Sequence, residues 1–294
     1  MMSLPTRETA SQRSGETSPS AKAVVGSSTT VQIFADAVAQ DLAAAHLFVR
    51  LAQEAVVRRG RFTVALSGGS TPKGLYALLA TDRHFRASVP WSKTEFFFGD
   101  ERPVPPDEAE SNYGMVKAAM FAQLPAGLVH VHRISGERPD PGEAAALYEA
   151  DLRDFFGPHG LMEAGFPRFD LILLGLGLDG HTASLFPDSS ALRESERWVV
   201  GNRVDRLNCS RITLTFPVLN NAREVVLLAR GTAKAAIVAA VLGQDAAASI
   251  YPVQRVKLTN GTKRWMLDRA AAARLAAGEI AAHTTTPEAA ENAS

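Results

Sequence analysis

Two patterns of hydrophobic and polar positions alternate along this chain. Short apolar runs at residues 31–34, 62–66, 94–98, 129–132, 169–174, 198–200, 212–215, 225–229 and 265–267 read as strands. The run 169–174 has the character of a central strand covered on both faces. Between these runs lie amphipathic stretches at 36–59, 74–80, 112–123, 141–156 and 232–242, and Asp268 opens a last helix. In the first stretch Val38, Leu42, Ala45, Val49 and Ala52 form the stripe expected to face the core. Pro72 stands where the first residue of the second helix should be. Strands alternating with helices predict an α/β fold, a mostly parallel sheet with helices on both faces. In such sheets ligands bind beyond the carboxyl ends of the strands, where the strand order reverses. The chemistry is therefore expected in the turns after Leu66, Phe98, Leu174 and Ala229.

Residues 1–29 and 279–294 show no hydrophobic period and are expected to be flexible tails around a single domain at 30–278. Composition then removes several classes of function. Lysine and arginine total 31 against 31 aspartates and glutamates, so no basic field exists to neutralise nucleic-acid phosphates. The longest apolar run, 171–178, is far shorter than the roughly 20 residues of a membrane helix. The amino-terminal stretch lacks the apolar core of a secretory signal. Cys209 is the sole cysteine, which excludes an intrachain disulfide and any multi-cysteine metal site. It is expected to be a buried, inert thiol, and a reduced, cytoplasmic setting fits it. No metal site is expected, because His130 and His132 are the sole histidine pair with even a weak ligand spacing.

Four turns carry candidate chemistry. After the second strand comes Ser67-Gly68-Gly69-Ser70-Thr71-Pro72. Its glycines admit close backbone approach, its hydroxyls can donate, and the helix that follows offers free N–H groups and a positive dipole end, together a phosphate cradle. The plainer reading is a strand-to-helix turn with a hydroxyl cap. Next is Gly99-Asp100-Glu101-Arg102, where Arg102 could grip a phosphate and a carboxylate could accept from sugar hydroxyls; a solvated charged turn is the alternative. The third turn runs from Gly175 to Thr182. Its glycines match a dinucleotide fingerprint by letter, but Pro187 arrives too early for the required helix. Asp179 and His181 are its better clue, a base with an orienting carboxylate in one glycine-rich loop. In the fourth, Lys234 stands in the first turn of a helix after Gly231, again suited to a phosphate. Asn112 and Arg211 are weaker candidates for substrate contact. No Gly-x-Ser-x-Gly elbow is present.

Taken in order, these stretches resemble the 6-phosphogluconolactonase family. The resemblance covers residues 31–277 and is carried by Ala65 to Pro72, Gly99 to Arg102 with Ser111 to Gly114, and Phe169-Asp170 through Gly180-His181-Thr182 to Pro187. Arg211 to Thr215, Gly231 to Lys234 and Trp265 to Asp268 complete it. It implies a Rossmann-like fold related to amino-sugar-phosphate deaminases. It also implies hydrolysis of 6-phospho-glucono-1,5-lactone without a cofactor or metal, the second step of the oxidative pentose phosphate pathway. By resemblance His181 is the general base, the Ser67–Thr71 loop, Arg102 and Lys234 hold the phosphate, and Asp179 and Asp100 are further site members. The sugar-phosphate lactone is then the partner expected, with no nucleic acid and no membrane, and the oligomeric state is left open. The related deaminases carry a glutamate five residues after the histidine, where this chain has Phe186. A non-catalytic sugar-phosphate sensor is the other alternative, and it would need no base.

Overall fold

The computed structural model describes residues 28–243 and 251–275. Apart from Ser28 and Thr29, the expected tails lie outside the described residues. In chain order the first elements are β1 (Ser28–Phe34), α1 (Ala37–Arg59), β2 (Phe62–Leu66), α2 (Lys73–Thr81), α3 (Arg83–Ser88), β3 (Thr94–Phe98) and β4 (Asp100–Glu101). There follow α4 (Asn112–Ala119), β5 (His130–Val131), α5 (Pro141–Phe156), β6 (Met162–Glu163), β7 (Phe166–Pro167) and β8 (Leu171–Gly175). The remainder is β9 (Val199–Val204), β10 (Cys209–Leu214), α6 (Phe216–Asn221), β11 (Glu224–Ala229), α7 (Ala235–Leu242) and β12 (Thr262–Asp268).

Seven strands form a wholly parallel sheet in the order β1-β12-β11-β8-β2-β3-β5. Every residue of β2 and of β11 is buried, so both faces of the sheet are covered, as the α/β expectation requires. From β2 the chain proceeds outward to β3 and β5, whereas from β8 it proceeds the other way to β11 and β12, beside which β1 forms the edge. The strand order therefore reverses between β2 and β8, and a crevice opens at their carboxyl ends.

Several elements differ from expectation. The strands expected at 198–200 and 212–215 do not join the parallel sheet. As β9 and β10 they form an antiparallel hairpin, and β10 also pairs with the two-residue β4. The turn at Thr232–Lys234 is 3-10, and α7 begins only at Ala235. Residues Arg269 to Leu275 form turns rather than a helix. Pro72 precedes α2 as its capping residue. Cys209 is half-buried, not buried.

In helix α1 the expected apolar stripe is right for Ala45, Val49 and Ala52 and wrong for Val38 and Leu42. Asp36 caps the helix, accepting from the Ala39 N–H at 2.8 Å. Its core face is Gln40, Ala44, Ala45, Phe48, Ala52 and Ala55, while Val38 is 76% exposed and Leu42 46%. Gln40 sets this rotation. Its amide donates to the Ala229 and Met266 carbonyls at 3.0 and 2.6 Å and accepts from Arg230 at 2.8 Å. A buried amide satisfied three times outweighs two aliphatic side chains left in water.

The opposite end of the sheet is tied by Asp170. Its carboxylate accepts from the Thr63 backbone N–H and hydroxyl at 2.9 and 3.1 Å and pairs with Arg59 at 2.8 Å. This joins β8 to β2 below the crevice and leaves their carboxyl ends free to diverge.

Candidate active site

The crevice between β2 and β8 is a cleft of about 660 Å³. All ten residues singled out from sequence line it: Ser67, Gly68, Gly69, Ser70, Thr71, Asp100, Arg102, Asp179, His181 and Lys234. Asn112 and Arg211 line it as well. The parallel sheet supplies the loops after β2, β8 and β11, and the smaller sheet brings in Asp100 and Arg211.

The loop after β8 is built around His181. Its ring nitrogen Nδ1 lies 2.5 Å from Asp179 Oδ1, and its backbone N–H reaches the same oxygen at 3.2 Å. A backbone bond from the Gly177 N–H to the His181 carbonyl, 2.8 Å, closes the turn. Residue 177 must be glycine, because a Cβ there would collide with the imidazole and with the Asp179 carboxylate. Gly180 has φ 76° and lies against the Tyr251 ring, so a side chain there would be both strained and blocked. With the Nδ1 proton donated to Asp179, Nε2 is left with its lone pair, the form a general base needs. Burial pushes the His181 pKa down to about 4. Asp100 opposes that shift, while Lys234, Arg211 and Arg102 reinforce it. At neutral pH this imidazole is uncharged.

Across the crevice, Ser67 is anchored by Tyr76, whose hydroxyl accepts from the Ser67 N–H at 3.1 Å and donates to its carbonyl at 2.8 Å. The Ser67 hydroxyl is buried and has no partner among the described residues. No side chain caps the amino end of α2. The hydroxyl-cap reading of this turn therefore fails, and the helix dipole and the Ser67 hydroxyl are left to an incoming group. Gly68 is required because a Cβ there would overlap the Asn112 amide.

The charged turn after β3 divides its labour. Glu101 is 2% exposed and spends its carboxylate on the amino end of α4, accepting from the Asn112 and Tyr113 N–H groups at 2.7 and 2.8 Å and from the Arg102 N–H at 2.8 Å. Burial pushes its pKa up, against the pull of those bonds. Asp100 instead faces the cleft, where it accepts from the Ser184 hydroxyl at 2.6 Å and the Asn112 amide at 3.2 Å. Arg102 bonds the Asn112 side-chain oxygen and the Glu110 carbonyl. Opposite them, Lys234 donates to the Leu176 carbonyl at 2.6 Å, and burial holds its ammonium below the usual lysine range.

Sequence reasoning passed over Ser184, Arg206 and Leu207, which also line the cleft, and took Phe186 as a mark of the activity and not as a lining residue. Phe186 packs its ring 4.1 Å from the His181 imidazole. Ser184 and Phe186 stood inside the matched stretch and could have been found there. Arg206 lies on the β9–β10 turn, which carries no local signal. Among the described residues no group of three or more histidines, cysteines or acids could hold a metal ion. No described helix is long and apolar enough to cross a membrane.

Comparison with known proteins fixes the class. A sequence profile of the glucosamine-6-phosphate isomerases/6-phosphogluconolactonase family matches residues 35–265, and the chain belongs to that family. Within it the chain is similar to a 6-phosphogluconolactonase of Synechocystis, 41% identical over 74% of this chain and 86% of that protein. One from Mycobacterium leprae is 38% identical over 84% and 99% of the two chains. Among solved structures, 6-phosphogluconolactonase from Trypanosoma cruzi superposes with a TM-score of 0.70 at 31% identity, over 84% of this chain and 97% of that one.

Proposed function

We propose that this chain hydrolyses the ring ester of 6-phospho-glucono-1,5-lactone to 6-phosphogluconate, the second step of the oxidative pentose phosphate pathway, with His181 as general base. The observation that carries this reading is an uncharged imidazole, oriented by Asp179 at 2.5 Å, in a cleft that also holds Lys234, Arg102 and the Ser67–Thr71 loop. The cations, the Ser67 hydroxyl and the amino end of α2 hold the phosphate, which places the lactone carbonyl beside His181 and converts binding into orientation. His181 takes a proton from water as the water attacks C1, and the imidazolium returns it to the departing ring oxygen. Asp179 keeps the tautomer and steadies the transient charge. Phe186 stands where the related deaminases place a glutamate, which speaks for lactone hydrolysis over ring opening and deamination. The activity resides in the single unit at 30–278, and the proposal places it in the cytoplasm, where the lone thiol of Cys209 stays reduced.

The test is turnover of freshly generated lactone measured above its spontaneous hydrolysis, with glucosamine 6-phosphate run in parallel for ammonia release. Lactone hydrolysis without ammonia release is expected. Binding of 6-phosphogluconate with no turnover of lactone would make the chain a sensor and overturn the proposal.

A further inference from the structure

The β9–β10 turn reaches over the cleft from the smaller sheet. Asp205–Leu207 forms one tight 3-10 turn, closed by Asn208 in the left-handed region at φ 46°. From it Arg206 extends to the loop after β8, where its Nη2 pairs with Asp179 Oδ2. The other oxygen of that carboxylate is the one bonded to His181 Nδ1. The same guanidinium stands 5.6 Å over the Phe186 ring, which in turn packs on the imidazole. Arg206 thus touches both groups that hold His181, and has no hydrogen bond or ion pair with His181 itself among the described residues.

We propose that Arg206 is a positioning residue for the base, acting through Asp179 and Phe186 to fix the His181 ring and to keep it uncharged. This rests on the reading of His181 as the base. An exposed arginine–aspartate pair ordinarily contributes little. This pair differs in that the arginine stands over the ring of the buried Phe186 and its aspartate is shared with the imidazole. A carboxylate bonded to an imidazole alone favours the imidazolium; a second cation on its free oxygen weakens that pull. The charged groups facing His181 are Asp179 on its own loop, Asp100 on β4, Arg102 after β4, Arg211 on β10 and Lys234 before α7. Arg206 adds to the positive side at the one carboxylate in direct contact with the ring. It also bars Asp179 from swinging away while the proton is on Nε2.

The experiment uses the full chain with R206A, R206K, D179N and the double variant R206A/D179N, and H181A as the reference. In R206A the His181 pKa, read by NMR in the substrate-free enzyme, rises by about one unit, the scale expected for a charge a few ångströms away in a partly solvated site. The kcat falls by about three- to tenfold, as for a slightly misplaced base, and KM stays within about twofold. R206K restores the titration more fully than kcat, because an ammonium supplies the charge without the planar stack. In D179N, adding R206A changes kcat by less than about twofold, since the main route, through Asp179, is already cut and only the contact with Phe186 remains. Unchanged titration with wild-type kcat in R206A would reduce the contact to a surface pair. A rise in KM with kcat intact would make Arg206 a substrate-binding cation, and multiplying effects of R206A and D179N would show that it acts elsewhere. Each of these overturns the inference. If H181A itself turns over like the wild type, the base assignment fails instead, whatever Arg206 does.

Discussion

His132 and His181 are both largely buried imidazoles with an aspartate against Nδ1, and the protein holds them in opposite states of charge. Their side chains are 20% and 30% exposed, so burial does not separate them, and burial pushes both toward the neutral form. The neighbours decide. His132 lies flat on Phe97, with ring centroids 4.3 Å apart, between Asp151 on α5 at 2.9 Å and Glu95 on β3 at 3.6 Å. Those two carboxylates outweigh burial and raise its pKa to about 9. For His181 burial prevails and pushes the pKa down to about 4; Asp100 opposes it, and Lys234, Arg211 and Arg102 reinforce it. One histidine is a cation at neutral pH that ties a helix to the sheet; the other is free to accept a proton. The cations assembled for a phosphate therefore have a second effect, which is to add to the burial that keeps the base unprotonated.

The largest expected effect separates the two by function. His181→Ala should lower kcat by about two to four orders of magnitude, the usual range for loss of a general base, with product binding changed far less. His132→Gln should leave kcat within about twofold. Steady-state kinetics on both variants checks this, and equal losses would show that the contrast has nothing to do with catalysis.

The next effect concerns the cations. Lys234→Ala and Arg102→Ala should each weaken 6-phosphogluconate binding by roughly ten- to a hundredfold, as for one charge-assisted contact. Hydrolysis of unphosphorylated gluconolactone should scarcely change. Calorimetry of product binding and the ratio of rates on the two lactones measure it. Equal damage on both lactones would mean that these residues do not clamp a phosphate.

The smallest effect is on stability. The folded pKa of His132 lies above its unfolded value of 6.5, so its contribution is fully present below pH 6.5 and is lost as pH rises through about 9. With Asp151 nearly half exposed, solvent screening limits the contribution to about 1–2 kcal/mol. The unfolding free energy of wild type minus that of His132→Gln should shrink by that amount between pH 6 and 10. Arg61 and His130, which also face Glu95, are common to both proteins and cancel. A difference that is flat across this range would remove the ion-paired imidazolium.

Most of the cleft was legible because its signals are local. A glycine pair or an Asp-Gly-His after an apolar run tells both where the strand ends and what stands in the turn. The rest depended on pairings that leave no local trace. The smaller sheet joins Asp100 to Thr213 through a strand of two residues, and no periodicity marks it. Its hairpin consequently read as two more strands of the parallel sheet, and Arg206 went unnoticed. Asp100 and Glu101 are equivalent as letters; only the β4 register sends one to the cleft and the other to α4. In α1 the many alanines weaken the apolar stripe, and the hydrogen bonds of one buried glutamine decide the rotation. The His130–His132 spacing suggested a faint metal pattern, but His132 is occupied by two carboxylates and His130 is exposed.

One titration sets the two histidines side by side. In histidine-labelled protein without substrate, followed by NMR from pH 5 to 10 with His132→Gln and His181→Ala to assign the signals, His181 should remain neutral throughout, consistent with a pKa of about 4. His132 should stay protonated until it titrates near pH 9. Reading the rings directly avoids the substrate phosphate, whose own second ionisation near pH 6 would distort an activity profile. A His181 that titrates at or above the ordinary histidine value of about 6.5 would contradict a base kept uncharged by its burial and by the cations of its own binding site.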